Sequence, residues 1–211
     1  MSLLLPVLLL LVVVAVSVST ELESSSLPAF CNGLDCPRYT VLRSTPDYEV
    51  RQLDPSVWSS TTVESMDFTQ ASEEGFHRLF RYISGDNVNQ TKVPMAAPVL
   101  VDVQPGQGPA CDTVFTTNFF VPFAQQEDPP TPSSGSRVSI RKLPQTVFAV
   151  RPFSGYIGQY NHSVVPQLLA LVQALEKDGV QYDASEPHVA QYDSPFRLLD
   201  RHNEVWVSVS E

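Results

Sequence analysis

The spacing of apolar side chains predicts two amphipathic helices, one in each half of the chain. From Phe68 to Ile83 the residues of one helical face cover an arc of about 120°. Asp67 or Thr69 can cap its beginning and Gly85 can end it. A second helix is predicted over 161–177, ended by Asp178-Gly179. The predicted inward faces are Phe68, Ser72, Phe76, Leu79, Phe80 and Ile83 in the first helix, and Val165, Leu168, Leu169, Leu171, Val172 and Leu175 in the second.

Runs rich in β-branched and aromatic residues predict strands on both sides of each helix. The Asp54-Pro55 and Leu143-Pro144 pairs separate consecutive strands, so we expect a hairpin at each. The predicted strands are 39–43, 48–53, 57–64, 93–103 and 113–121 in the first half, and 137–142, 145–153, 188–192 and 204–209 in the second.

This order of elements repeats: each half contains a hairpin, a helix and two further strands. We therefore expect one α+β domain over 37–211, with duplicated halves at about 37–123 and 137–211. Its strands form two antiparallel sheets or one curved barrel, and one helix of each half packs on them. The connector 124–136 contains three prolines, which predict an extended segment on the surface.

The N-terminus predicts the compartment. Residues 3–16 are apolar throughout, and the first charge is Glu21. About 14 residues are too few for a comfortable transmembrane helix but match a secretory signal peptide. We expect a signal peptide at 1–20, a polar segment at 21–36, and a secreted protein without a stable membrane anchor; an uncleaved anchor is the alternative.

Glycosylation motifs and cysteines fit an extracellular protein. Sequons begin at Asn89 and Asn161. Cys31 and Cys36 can close a small loop through the Asn32-Gly33 turn, or Cys111 can pair with either of them. Three cysteines cannot all pair within one chain.

Charge and motif content exclude several classes of protein. The 211 residues include 13 Lys and Arg against 23 Asp and Glu, which gives a net charge of −10. This balance disfavours binding to nucleic acid or to anionic membranes. The sequence has no nucleophile elbow, zincin, Walker or dinucleotide-binding motif, so we expect no enzyme.

Several separated motifs resemble the SOUL haem-binding protein family over about residues 37–209. They are Tyr48-Glu49-Val50-Arg51, Gly75-Phe76-His77-Arg78-Leu79, Met95-Ala96-Ala97-Pro98-Val99, Ser194-Pro195-Phe196-Arg197-Leu198-Leu199 and Asn203-Glu204-Val205-Trp206. The resemblance implies a distorted antiparallel β-barrel of two pseudo-symmetric halves. It also implies a non-catalytic protein that binds haem and other tetrapyrroles, including iron-free porphyrins.

A haem site needs apolar contacts, cations for the propionates and, in some proteins, an iron ligand. Some family members carry a ligand histidine where this chain has Gln52, so we expect binding to depend mainly on apolar contact. The candidate site residues are His77 as an exposed iron ligand, Phe76, Met66 and Met95 as apolar contacts, and Arg78, Arg81 and Arg197 as propionate partners. His162, His188 and His202 are weaker ligand candidates, and Arg51 is a further cation.

The sequence thus predicts a secreted tetrapyrrole carrier, buffer or scavenger that holds haem in an apolar surface groove with a basic rim. The alternative is an extracellular protein-interaction module. It would use the barrel surface or the Val164–Leu175 helix, and its haem binding would be vestigial.

Overall fold

A computed structural model describes residues 27–106, 108, 112–157 and 164–210 of the chain. The predicted signal peptide, Cys111, His162 and the sequon at Asn161 lie outside the described residues. Neither described helix is long and apolar enough to span a membrane.

The described strands form one strongly curled antiparallel sheet, with two helices packed on it, which confirms the predicted α+β class. The sheet is not closed into a barrel; its order is β1-β2-β7-β9-β8-β4-β5-β3-β6. The elements are β1 (Tyr39–Ser44), β2 (Glu49–Leu53), β3 (Ser56–Ser65), α1 (Phe68–Ile83), β4 (Val99–Gln104), β5 (Thr113–Phe120), β6 (Ser139–Leu143), β7 (Thr146–Phe153), α2 (Val164–Lys177), β8 (Tyr182–Gln191) and β9 (Asn203–Val209).

The two predicted hairpins at the prolines are wrong, because the chain bends there instead of reversing. β2 pairs with β7, and β3 pairs with β6. Leu53 lies opposite Thr146, and Ser56 lies opposite Leu143. Each segment therefore advances three residues between these pairs, and the register is kept through the bend. Pro55 and Pro144 have no N–H to donate at this corner. Two long bent strands therefore pair with each other and curl the sheet.

The strand pairing repeats between the halves. α1 packs on β3 and β5, and α2 packs on β7 and β9. Within each half the last strand lies between two others, β5 between β4 and β3, and β9 between β8 and β7. The pair β4–β8 joins the halves. Because β2 and β3 of the first half correspond to β6 and β7 of the second, the pairs β2–β7 and β3–β6 are equivalent in the repeat.

Helix α1 begins where the sequence predicts, because the Asp67 carboxylate accepts hydrogen bonds from the backbone of Thr69 and Gln70 at 2.8 and 3.1 Å. Its buried face is rotated from the predicted one. Ala71, Gly75 and Tyr82 are buried, whereas Phe80 is 48% exposed.

Helix α2 buries less of its predicted stripe than expected. Leu171 and Leu175 are fully buried, but Val165 and Leu169 are more than half exposed.

The connector also differs from the prediction of an extended surface segment. Pro130 is buried, and its carbonyl accepts a 2.6 Å hydrogen bond from the Tyr82 hydroxyl. Burial raises the pKa of Tyr82 to about 12.

Gly75 sets the distance between α1 and the sheet. A Cβ at this position would lie 2.2 Å from Thr117 Oγ1 and 2.8 Å from Thr117 Cβ on β5. Thr117 is fully buried, so it has no space into which to withdraw.

We expect Gly75→Ala to lower the free energy of unfolding by about 2 kcal/mol, because the overlap with Thr117 outweighs the better helix propensity of alanine. Urea unfolding followed by circular dichroism measures this change. The matched control is Gln70→Ala, an exposed position of the same helix, with an effect within about 0.5 kcal/mol. A Gly75→Ala protein as stable as the wild type would show that α1 does not need this close approach.

Candidate functional site

Four of the residues predicted to contact haem lie on or beside α1. They are Phe76, His77, Arg81 and Met95. The Phe76 ring stacks on Phe80 with centroids 5.7 Å apart and contacts Phe119 edge-on at 5.2 Å. Phe76 and Met95 pack against the same buried cluster. His77 is exposed, as predicted, and its ring centroid lies 5.9 Å from that of Phe76. We call Phe76, His77, Phe80 and Arg81 the outer face of α1.

Arg81 lies at the far edge of this face, about 140° around the helix from Phe76. It follows His77 by one turn and is exposed, and its guanidinium has no hydrogen-bond or ion-pair partner within the described part of the chain. The outer face therefore combines flat aromatic surface, an imidazole and an unpaired cation.

Arg78 does not lie on the outer side of α1, which corrects the sequence-based expectation. It is buried about 160° around the helix from Phe76, and its guanidinium pairs with Glu74. It also donates to the carbonyl of Thr62 at 2.9 Å. The sequence pattern does not indicate this burial, because Arg78 lies about 140° around the helix from the centre of the predicted apolar arc.

Met66 and Arg197 lie apart from these residues. Met66 is 72% exposed and precedes α1, which places it about 20 Å along the helix axis from Phe80. Arg197 belongs to the β8–β9 loop, where its guanidinium donates to Asp193 Oδ1 at 2.7 Å and to Asn32 Oδ1 at 3.1 Å.

The same loop exposes apolar side chains that the sequence reasoning used only as a family motif. Phe196 is 90% exposed, and Leu198 and Leu199 are each at least three-quarters exposed. The signal available in the sequence was an apolar run after Ser194-Pro195 that does not alternate as a strand would.

A buried network centred on Glu204 fixes the base of this loop. Glu204 is fully buried, and its carboxylate binds four side chains from three parts of the chain. Oε1 contacts Arg51 and His202 at 2.9 Å each, while Oε2 accepts from Tyr192 at 2.9 Å and Trp206 at 2.8 Å. Arg51 is therefore a structural cation and not a free propionate partner.

The network keeps its charges. Burial raises the pKa of Glu204, but the hydrogen bond from His202 and the charge of Arg51 lower it by more, so it lies below the usual 4.5. Burial and the nearby Glu204 carboxylate raise the pKa of Tyr192 well above 10. Tyr192 therefore stays a neutral donor to the carboxylate.

The N-terminal segment covers this network. A disulfide joins Cys31 to Cys36, and the Phe30 ring stacks on His202 with centroids 4.1 Å apart. The Asn32 amide donates to Asp193 Oδ1 at 3.0 Å. The segment thus holds both His202 and the β8–β9 loop in place.

A second carboxylate lies on the concave side of the sheet. Asp102 on β4 contacts Nδ1 of His188 at 2.8 Å and accepts from Arg141 on β6 at 2.6 Å. Burial raises the Asp102 pKa, but the hydrogen bonds and charges of His188 and Arg141 hold it below 3.8. Because β4 and β6 are not neighbours in the sheet, this contact spans the curl. The described residues contain no group of three or more His, Cys, Asp or Glu that could hold a metal ion.

The family model described as "SOUL heme-binding protein" matches residues 34–208. The chain belongs to this family. Heme-binding protein 2 of Homo sapiens is 40% identical over 160 residues, which cover 76% of this chain and 77% of that protein. Heme-binding protein 1 of Xenopus laevis is 26% identical over 159 residues, covering 75% of this chain and 82% of that one. The family is thus the one predicted from the sequence motifs, and its name identifies haem as the ligand.

Two solved structures share the fold at low sequence identity. A hydrolase from Listeria innocua has a TM-score of 0.53 at 12% identity, covering 80% of this chain and 94% of that chain. The EcmrR C-terminal domain has a TM-score of 0.54 at 12% identity, covering 84% and 99%. At this identity the likeness shows a common fold alone.

We expect Glu204→Gln to lower the free energy of unfolding by about 3 kcal/mol, because it removes the fully buried charge that Arg51 contacts and leaves only the partly exposed Glu49 paired with this arginine. Chemical unfolding at pH 7 measures the change. Glu73→Gln, an exposed position on α1, is the control and shifts stability by about 0.5 kcal/mol or less. Equal stability of the two variants would contradict a charged Glu204.

We expect the wild-type protein to lose stability in acid. The folded-state pKa values of Glu204 and Asp102 are lowered, so their contribution is complete above the unfolded values of 4.5 and 3.8. That contribution is lost as pH falls from these values through the folded pKa values. The urea concentration at the midpoint of unfolding, measured from pH 6 to pH 3, should therefore decrease once the pH is below about 4.5. Midpoints that rise in this range would exclude the ionised network.

Proposed function

We propose that this protein is a secreted, non-catalytic haem carrier or scavenger that holds the macrocycle against the outer face of α1. The observation that carries the proposal is the stacked Phe76–Phe80 pair with its half-exposed outer ring, in a chain that belongs to a haem-binding family. The exposed His77 and the unpaired Arg81 follow on the same side of the helix, where Arg81 offers a cation for a propionate.

Apolar contact supplies most of the affinity in this mechanism. Burial of one face of a macrocycle at ~25 cal/mol per Å² supports binding after the losses from immobilisation. Phe80 and Phe76 provide the flat surface, and Met95 packs against the same buried cluster as Phe76. Arg81 pairs with a propionate at the rim, where solvent screens the pair and limits its contribution.

Export is supported by several features of the chain. The disulfide between Cys31 and Cys36 is stable in an oxidising compartment. Asn89 of the first sequon is exposed after α1, where a glycosyltransferase has access. The apolar run at 3–16 has the length of a signal peptide.

We expect the protein expressed in animal cells to enter the medium without about 20 N-terminal residues. Mass spectrometry and glycosidase digestion measure the processing, and Asn89→Gln should reduce the glycosidase shift. An intracellular protein with an intact N-terminus would contradict secretion.

We expect Phe80→Ala to weaken hemin binding about tenfold, because it removes the exposed ring of the stacked pair. The control is Leu169→Ala on α2, which removes an equally exposed apolar side chain and leaves affinity unchanged. Soret absorbance titration measures hemin, and fluorescence quenching measures protoporphyrin.

The same titrations test the role of iron. Protoporphyrin should bind within about tenfold of hemin, Arg81→Glu should weaken both ligands, and His77→Ala should change hemin affinity by less than about threefold. Loss of a low-spin spectrum in His77→Ala, together with much tighter binding of hemin than of protoporphyrin, would make His77 an iron ligand and contradict the apolar mechanism.

One observation favours the alternative of a protein-interaction module. Val165 and Leu169 lie one turn apart on α2 and are both more than half exposed. This candidate predicts no saturable hemin binding at micromolar concentrations, which the same titration decides.

A further inference from the structure

We propose that the cleft between α1 and the turn at 133–137 binds the phosphate or sulfate group of a small ester. The cleft has a volume of about 400 Å³. One wall is the serine-rich turn, and the other is the flank of α1 that carries Glu74, Arg78 and Arg81. Its lining residues are Glu74, Arg78, Arg81, Asp86, Ser133, Ser134, Gly135, Ser136 and Arg137.

The arginines of the whole chain identify this cleft. All ten arginines lie within the described residues. Seven have a hydrogen-bond or ion-pair partner, and Arg38 stacks on Phe123 at 4.4 Å. The seven are Arg43, Arg51, Arg78, Arg141, Arg151, Arg197 and Arg201. In the part of the chain that the structure describes, only the guanidinium groups of Arg81 and Arg137 have no hydrogen-bond, ion-pair or aromatic partner, and both residues line this cleft.

The fold holds Arg137 in an unfavourable backbone conformation. Its φ is +59°, in the left-handed region that non-glycine residues seldom adopt. Thr61 on β3 donates its hydroxyl to the Arg137 carbonyl at 2.8 Å, and the Val138 N–H donates to Ser136 Oγ at 3.3 Å. The sheet therefore compensates for the strained residue at the mouth of the cleft.

The charges of the lining favour an anion. Three arginines face two carboxylates, Glu74 and Asp86, which leaves one net positive charge in a protein of net charge −10. Glu74 is already paired with the buried Arg78, which forms the wall of the cleft. Arg81 and Arg137 remain for the ligand, and the Asp86 carboxylate opposes it.

The donors suit a tetrahedral oxyanion. Guanidinium groups bind phosphate and sulfate oxygens through paired N–H donors, and serine hydroxyls add further donors. A water molecule occupies about 30 Å³ of liquid, so the cleft has room for an oxyanion and an organic group as well. An ester therefore fits better than a bare ion.

The experiment titrates the full mature protein, without haem, with three probes at constant ionic strength set by chloride. The probes are inorganic phosphate, glycerol phosphate and a sulfated monosaccharide, followed by calorimetry and by ¹H–¹⁵N NMR shifts of residues 133–137. The two esters distinguish a phosphate source from a sulfate source. The proposal expects at least one ester to bind more tightly than inorganic phosphate.

The variants test the charge assignment. Arg137→Gln should weaken ester binding about three- to tenfold, and Asp86→Asn should strengthen it by a similar factor. Lys177→Gln removes one positive charge at the end of α2 and should leave the affinity unchanged. Binding of inorganic phosphate alone, or failure of all three probes to shift the NMR signals, would overturn the proposal. So would ester affinity that is equal in Arg137→Gln and Asp86→Asn.

Hemin titration of Arg137→Gln separates this proposal from the haem proposal. Arg137 does not belong to the outer face of α1, so hemin affinity should stay unchanged in this variant. Loss of ester binding with normal hemin binding supports a separate cleft, whereas parallel loss of both would overturn it.

Discussion

The fully buried carboxylate of Glu204 is the interaction on which much of this structure depends. A buried charge is tolerated only where its lone pairs are satisfied, and here four side chains do so. Because Arg51 comes from β2, while Tyr192 and His202 bracket the β8–β9 loop, the network ties together segments more than 150 residues apart. Phe30 and the disulfide then close over it. The position of the exposed loop therefore depends on a group in the interior.

Much of the fold was predictable from the sequence, since helix caps and strand content are local properties. Asp67 caps α1 as predicted, and the strand segments were largely found. Strand partners are not local. An Asp-Pro or Leu-Pro pair is compatible with a reversal or with a corner, and only the register between Leu53 and Thr146 and between Ser56 and Leu143 decides for a corner.

The candidate site was predicted in its residue types and only partly in its arrangement. Phe76, His77 and Arg81 share one helix, so their order around its exposed side follows from sequence spacing. The burial of Arg78 could not be predicted from spacing, because it depends on Glu74 and on the carbonyl of Thr62 from another element. Met66 and Arg197 share only their chemistry with these residues. The spacing of Met66, just before the helix cap Asp67, places it at the other end of α1, whereas no local pattern places Arg197. The sequence does not indicate the conformation of the turn at Arg137, because it depends on a hydrogen bond from Thr61, which is distant in the chain.

Arg81 connects the two proposed binding surfaces, since it adjoins His77 on the outer face of α1 and also lines the cleft. A propionate and an ester oxyanion both require this guanidinium, and the two anions repel each other. An ester bound in the cleft should therefore reduce haem affinity, and by thermodynamic reciprocity haem should reduce ester affinity by the same factor. The coupling is limited to a single solvent-exposed cation, so it is worth a few-fold and declines as salt increases. Under both proposals, the two arginines whose guanidinium groups have no partner among the described residues would serve two kinds of anionic ligand, because Arg81 on α1 and Arg137 on the turn at 133–137 line the same cleft.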